Sequence, residues 1–569
     1  LSATTEASAT GTAALTLAGG LGVAKDVWIG DDLVLDSDST VLKFGDDQDT
    51  TLTHTDGTGL TLNSTNKLTF GDAASFIQQS SDGVLRIDGE ATVDINASAA
   101  ITLAAANVPV TVGGIPFYYG DTGSIYTHDV SGTDSTATYN TSYGLTALDA
   151  ITTGDKNTAI GWGVLSTITS ASFSTAIGYK AMNATTSGNA TVAIGHEAMG
   201  TGTYVGSNEV AIGVKAMENA ADSFGNVCIG YYAGQAITDG DENVCLGYGA
   251  GDSITTGSDN IFVGSFAGSA HTTATRAIAI GDHAYDAADT ENDNLAIGQD
   301  ALGGAVAGGE QNVAVGNYAL DALTSADNSV AIGYNAGTAV TTGADNILIG
   351  ANTGDGLTTG GTNLAIGNAA LGQPDEEDYN MAIGHNALGG AIAGGEYNVA
   401  VGVNTLNALT SGDNNVAIGL EALANNTTAS HNSAVGYKAL TANTTGDNNV
   451  SVGRDSALAL TTGGFTTVLG SRALQSAQTV NNNTAIGFQA LQLNTSASNT
   501  AVGAESANYN TTGSNLTALG WASLNQNTTG DSNTAIGYKS ILDNTTGSNN
   551  TAVGLEALAN NTTANDNTA

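Results

Sequence analysis

From residue 138 to 569 the chain repeats one short pattern of apolar and polar positions: Asn, any residue, Ala, an aliphatic residue, Gly. The glycine of this pattern recurs from Gly144, Gly161 and Gly178 through to Gly537 and Gly554. Of the 24 intervals between successive marker glycines, 20 are 17 residues long, three are 18 and one is 16. A fixed short period over so many copies means stacked units that each touch only their neighbours. The period is too short for a helical hairpin, and Gly, Asn and Thr are poor helix formers. Each copy therefore predicts one rung of a parallel β-solenoid.

Strand alternation in Asn157-Thr158-Ala159-Ile160-Gly161 puts Thr158 and Ile160 on one face and Ala159 on the other. The first face holds Val192 and Ile194, Ile261 and Val263, or Ile347 and Ile349 in other copies, and we expect it to line the interior. The middle column is Ala159, Ala176, Ala193 and so on, with Cys228, Cys245, Phe262 and Leu348 as apolar departures. A second apolar face predicts burial against something outside the rung, and two more copies of the chain are the economical partner.

After each marker glycine we expect a turn and a second short strand, as in Tyr179-Lys180-Ala181-Met182, with Ala and Met or Leu pointing inward. Asn443-Thr444-Thr445-Gly446, Asn527-Thr528-Thr529-Gly530 and Asn544-Thr545-Thr546-Gly547 then close their rungs. Glycine is expected to supply positive φ there, Asn to cap the turn, and stacked copies to form Asn and Thr ladders. A ten-residue segment, Ala301 to Glu310, returns 86 residues later as Ala387 to Glu396, which marks a duplicated block of five rungs.

Residues 1–107 have a different texture, with short alternating segments such as Val27 to Asp31, Val41 to Asp46, Lys67 to Asp72 and Val84 to Gly89 between Asp-Gly and Gly-Asp turns. Strands this short and narrow are unstable alone, so intertwined strands from three chains are expected. Residues 108–137 form a junction whose aromatics, Phe117, Tyr118, Tyr119 and Tyr126, are expected to seal the end of the array. The fold class is thus all-β: a parallel β-solenoid of about 25 rungs over residues 138–569, homotrimeric, preceded by a β-rich trimeric shaft segment.

Composition narrows the function classes. With 12 basic against 54 acidic residues the formal charge is −42, which excludes nucleic acid as a partner and suits a long soluble rod. Only Pro374 of the three prolines lies within the repeats, as continuous ladders require. No run of 18 apolar residues offers a membrane span. No signal peptide opens the chain, which starts at Leu1 without Met and ends inside a new repeat, so we expect a piece of a longer protein. Cys228 and Cys245, one period apart, are close enough for a disulfide by Cα distance, but two small buried thiols are the favoured reading.

Catalytic signatures are missing from the sequence. The seven histidines lack metal-ligand spacing, and His196 and His385 are expected as outward turn residues. Glu376-Glu377 is expected on a loop without a cleft, and no nucleophile elbow or phosphate loop occurs. Asp31-Asp32 and Asp46-Asp47-Gln48-Asp49 are the best acidic clusters for a structural divalent cation, yet neither matches an EF-hand or calcium β-roll; no cofactor is expected. Asn426 and Asn544 are formal glycosylation acceptors produced by the repeat itself. The variable position after the marker glycine is the best surface-contact candidate. Trp162, Tyr179, Tyr231, Tyr248, Tyr334, Tyr437, Phe488, Trp521 and Tyr538 would form a discontinuous outer stripe, suited to a host glycan or protein but equally to packing between rungs.

The stretch Asn533 to Asn549, Asn-Thr-Ala-Ile-Gly-Tyr-Lys-Ser-Ile-Leu-Asp-Asn-Thr-Thr-Gly-Ser-Asn, resembles the repeat of phage tail-fibre proteins. Asn415-Val416-Ala417-Ile418-Gly419 also resembles the head repeat of YadA-type trimeric autotransporter adhesins, whose fold implies a trimeric left-handed β-roll. Segments such as Gly19 to Asp26 and Phe44 to Asp49 resemble shafts of marine phage structural proteins. These resemblances imply a non-catalytic fibre of a phage virion, assembled with itself and with other virion proteins, that gives reach and mediates adsorption to a host surface. The alternatives are a bacterial surface adhesin head and a self-associating extracellular filament.

Overall fold

The computed structural model describes residues 21–30, 33–35, 41–44, 50–55, 59–62, 67–69, 76–79, 85–88, 110–112, 115–119, 124–127, 136–373 and 376–569. The chain divides into two compact units, Leu1–Ala104 and Ala105–Ala569. In the first, β1 (Val41–Phe44), β2 (Thr50–Thr55) and β3 (Gly59–Leu62) form one antiparallel meander, and β4 (Lys67–Thr69), β5 (Phe76–Gln79) and β6 (Leu85–Asp88) form another. Each meander pairs within the chain. The segment at Val27 is not a strand, and Trp28 there is 94% exposed. Asp31, Asp32 and Asp46 to Asp49 lie outside the described residues.

The second unit begins with β7 (Val110–Val112), β8 (Ile115–Tyr119) and β9 (Ile125–Tyr126), paired antiparallel in succession. Strand β9 then pairs parallel with β10 (Thr141–Tyr143), the first rung, and Tyr126 is fully buried. From β10 to β34 (Thr551–Val553) there are 25 three-residue strands, one per turn of the coil. Each pairs parallel with the strands one turn before and after, as in Thr158↔Thr175, Ala159↔Ala176 and Ile160↔Ile177. The expected parallel β-solenoid is therefore the fold of this unit.

Two local expectations are reversed. The Ala column faces inward, with Ala159, Ala176 and Ala193 fully buried, while Thr158 is half-buried and Ile160 is exposed. The reason is the narrow bore of a 17-residue turn. Inward space is already taken by residues after the marker glycine, such as Ala181 and Met182, so the strand contributes only a small side chain and its β-branched pair points out. The second correction concerns Tyr179 to Met182, which form a turn and not a strand. Lys180 and Met182 have φ of 53° and 50°, outside the extended region. Bonds between rungs hold these left-handed residues: Lys180 N–H donates to Trp162 O at 2.9 Å and Met182 N–H to Ala198 O at 2.9 Å.

Inward volume is traded between strand and turn in four rungs, where a strand residue larger than Ala meets a glycine in place of the turn's Leu or Met: Cys228 faces Gly234, Cys245 faces Gly251, Phe262 faces Gly268 and Leu348 faces Gly354. Elsewhere Val468 is buried in the same rung as Leu474, and Gly337, in the rung of Ala331, makes room for Leu348 of the next rung. A Cβ on Gly268 would lie 2.6 Å from the Phe262 ring. The departures from Ala are thus core packing, and both cysteines are buried free thiols.

The marker glycines are required by both conformation and space. Their φ lies near +135°, as at Gly436, where a Cβ would also lie 2.6 Å from Gly453 O of the next rung. Gly446, Gly530 and Gly547 lack the expected positive φ, yet a Cβ there would lie 2.1, 2.2 and 2.3 Å from the next rung's carbonyl oxygen. Stacked backbones approach closely at these turns, although other rungs place a side chain at the same position, as at Ala429 and Val480. The Asn caps hold as expected, with Asn527 Nδ2 donating to Gly530 O at 3.0 Å. Thr528 Oγ1 donates to Thr545 O at 2.8 Å in the Thr ladder. A further ladder runs at the strand entrance, where Asn243 N–H donates to Asn226 Oδ1 at 2.8 Å and its Nδ2 to Gly257 O at 2.9 Å.

Candidate surface-contact site

The position after each marker glycine forms an outer corner of the solenoid. It is fixed because the following residue donates its N–H to the corner carbonyl one rung earlier, as Gly249 does to Tyr231 O at 2.9 Å and Lys539 to Trp521 O at 3.0 Å. Side chains on successive corners therefore superimpose. Trp162, Tyr179, Tyr231, Tyr248, Tyr334, Tyr437, Phe488, Trp521 and Tyr538 are all 40–53% exposed.

Their rings mostly face one another. Trp162 stacks on Tyr179 at 5.1 Å, Tyr179 on His196 at 4.9 Å, Tyr231 on Tyr248 at 5.2 Å and Trp521 on Tyr538 at 5.1 Å between centroids. Sequence reasoning treated His196 as an ordinary turn residue, but it extends the first stack. It also missed Phe266 and His283, which carry the line one position further along the turn and stack at 5.2 Å; the signal was the 17-residue spacing between them. Lys180 Nζ lies 5.6 Å from the Trp162 and Tyr179 centroids, and Lys539 Nζ lies 5.2 and 5.3 Å from those of Trp521 and Tyr538. Such contacts add modest stability at exposed sites.

The other polar groups are absorbed by the fold. Glu377 is not a free loop carboxylate: it is buried, and its Oε1 accepts Gly394 N–H at 2.6 Å beside an open groove of about 510 Å³. Glu291 does the same for Gly308 at 2.8 Å, one duplicated block earlier. Each carboxylate shapes the longer turn of an 18-residue rung. Asn426 and Asn544 are fully buried, which leaves no room for a glycan on the folded chain. His271 is buried against Phe262 and Tyr285, with neither ring nitrogen hydrogen-bonded. Among the described residues no group of three His, Cys, Asp or Glu is placed to hold a metal ion, and no helix is long and apolar enough to cross a membrane.

No family model, curated protein or solved structure matches the chain.

Proposed function

We propose that this chain is the rod of a phage virion fibre, assembled as a homotrimer, which gives reach and mediates adsorption to a host surface without catalysis. The observation that carries the assembly is the outward strand face. Its second column runs Ile160, Ile177, Ile194, Ile212, Ile229 to Ile536 and Val553, aliphatic in every rung after Tyr143. Its first column is Val, Ile, Leu or Met from Val192 to Val416. At about 4.8 Å per rung and about 10 Å across, the stripe covers on the order of 1,000 Å². Soluble monomers rarely expose more than a few hundred contiguous Å², and a specific interface buries about 800 Å² per partner. Three such faces turned toward one axis would cover one another. The virion assignment rests on the tail-fibre resemblance of Asn533 to Asn549.

Light scattering on the purified chain should give three times the 56.4 kDa chain mass, and Ile366→Glu, in the middle of the stripe, should dissociate the particle. A monomeric wild-type chain would sink the assembly. Antibody raised against the solenoid should decorate intact virions; labelling of a bacterial surface instead would replace the phage reading with the adhesin one.

A further inference from the structure

Rings on consecutive corners cover each other's faces, so a ligand that needs a flat aromatic face can use only a ring whose neighbour is missing. One rung makes such a gap between two aromatics. Ala504 stands between Phe488 and Trp521, and backbone bonds from Glu505 N–H to Phe488 O at 2.8 Å and from Ala522 N–H to Ala504 O at 2.9 Å fix the three corners in line. Both rings are exposed, and Trp521 stacks on Tyr538 on its other side. The comparable break at Val214, between His196 and Tyr231, holds a branched side chain.

Two rungs at about 4.8 Å each separate the rings by about 9.6 Å. Carbon atoms touching both walls need about 3.5–4.0 Å on each side. The remaining roughly 2 Å fits a puckered saturated ring with its axial hydrogens and leaves a flat aromatic ring loose. Gln489 and Glu505 occupy the next position of the turn beside the gap, and an amide and a carboxylate suit sugar hydroxyls. A chain of charge −42 repels acidic saccharides.

We propose that the slot between Phe488 and Trp521, floored by Ala504, binds one neutral pyranose ring of a saccharide. This deepens the adsorption reading above and rests on it for its biological use. The test is calorimetric titration of the assembled chain with maltotriose, cellotriose and N,N′,N″-triacetylchitotriose, all neutral. At least one should bind with Kd in the range of about 1 mM, and Ala504→Leu should weaken it by at least roughly tenfold. Leu145, Leu420 and Leu555 already occupy this corner, so that variant should fold and assemble; Phe488→Leu removes one wall and should lose binding as well. The slot is overturned if none of the three binds at tens of millimolar, or if Ala504→Leu binds as wild type. Failure with a trimeric rod leaves the fibre reading standing, whereas binding by a monomer removes the fibre and keeps the slot.

Discussion

Two stretches of the solenoid share a backbone but fill the seventh position after the marker glycine differently. In one it is mostly apolar, Ile237, Ile254, Leu323, Val340 and Leu357 with His271 and Ala288 among them, all buried in the bore. Near the end of the chain it is Asn494, Asn510, Asn527 and Asn544, equally buried. These amides join: Asn510 Nδ2 donates to Asn494 Oδ1 at 2.6 Å, Asn527 to Asn510 at 2.7 Å and Asn544 to Asn527 at 2.7 Å. An apolar residue contributes about 1.5–3 kcal/mol by burial wherever it sits. A ladder amide contributes about 1 kcal/mol per bond, and only while its neighbours complete it. The apolar stretch is therefore stable rung by rung, whereas the amide stretch is stable as a block.

The largest effect should be blind to this difference. Gly247→Ala and Gly520→Ala each place a methyl at left-handed φ, 2.2 and 2.4 Å from the next marker carbonyl oxygen. Strain and overpacking should cost about 5 kcal/mol in either stretch, read as lost amide-exchange protection around the altered rung. Unequal losses would show that the two stretches differ in their backbone as well as in this column.

Leu323→Asn should separate them. Leu323 packs near Val306 in an apolar bore, so the amide loses Leu burial and finds no ladder partner, a cost of about 4 kcal/mol. Denaturant titration checks it; a cost below about 1 kcal/mol would mean that the bore is wet there.

Protons should act at and just before the apolar stretch and spare the amide stretch. Glu209 replaces a ladder Asn at the strand entrance, accepting Asn226 N–H at 2.7 Å, and burial pushes its carboxyl up from 4.5 to about 7. Its protonated form is the one the fold favours, so its contribution is full below pH 4.5 and lost as pH rises through about 7. Burial pushes His271 down from 6.5 to about 4, so its contribution is full above pH 6.5 and lost as pH falls through about 4. Each loss is roughly 3 kcal/mol. The local opening free energy from amide exchange, corrected for the intrinsic pH dependence of exchange, should fall around Glu209 as pH rises from 4.5 and around His271 as pH falls from 6.5, while that of rungs 487–554 should stay flat. Glu209→Gln should remove the alkaline limb.

The period, the parallel stack, the turn caps and the Asn and Thr ladders were legible because each is written as a residue type at fixed spacing. Which strand face points inward was not. Both columns are apolar, and period-two alternation alone cannot rank Ala159 against Ile160. The answer lay in Ala181 and Met182, whose inward volume leaves room for a methyl only. The left-handed turn residues were equally hidden, since nothing in Lys180 or Met182 favours positive φ and both are held there by bonds to neighbouring rungs. At the surface corner the aromatic column was visible, but the stacking that occupies most of its faces follows from register. The gap at Ala504 could be seen only after that.

The smallest effect should come from extending the ladder by one residue. Asn443 and Leu460 occupy this same position on adjacent rungs, and Asn443 Oδ1 is buried without a donor. Leu460→Asn would supply that donor and bond its own turn at Gly463, as Asn443 does at Gly446 O at 3.0 Å. It would also lose Leu burial and leave one new oxygen facing Ala477. The gain of about 1 kcal/mol for the satisfied acceptor offsets part of a loss of about 2–3 kcal/mol, so the net cost should be about 1–2 kcal/mol, less than half that of Leu323→Asn. Equal costs for the two variants would mean that a buried amide is no better tolerated beside another amide than among apolar rungs. In that case the Asn stretch would be held by its backbone bonds and strand-entrance Asn column, with the inner ladder a passenger.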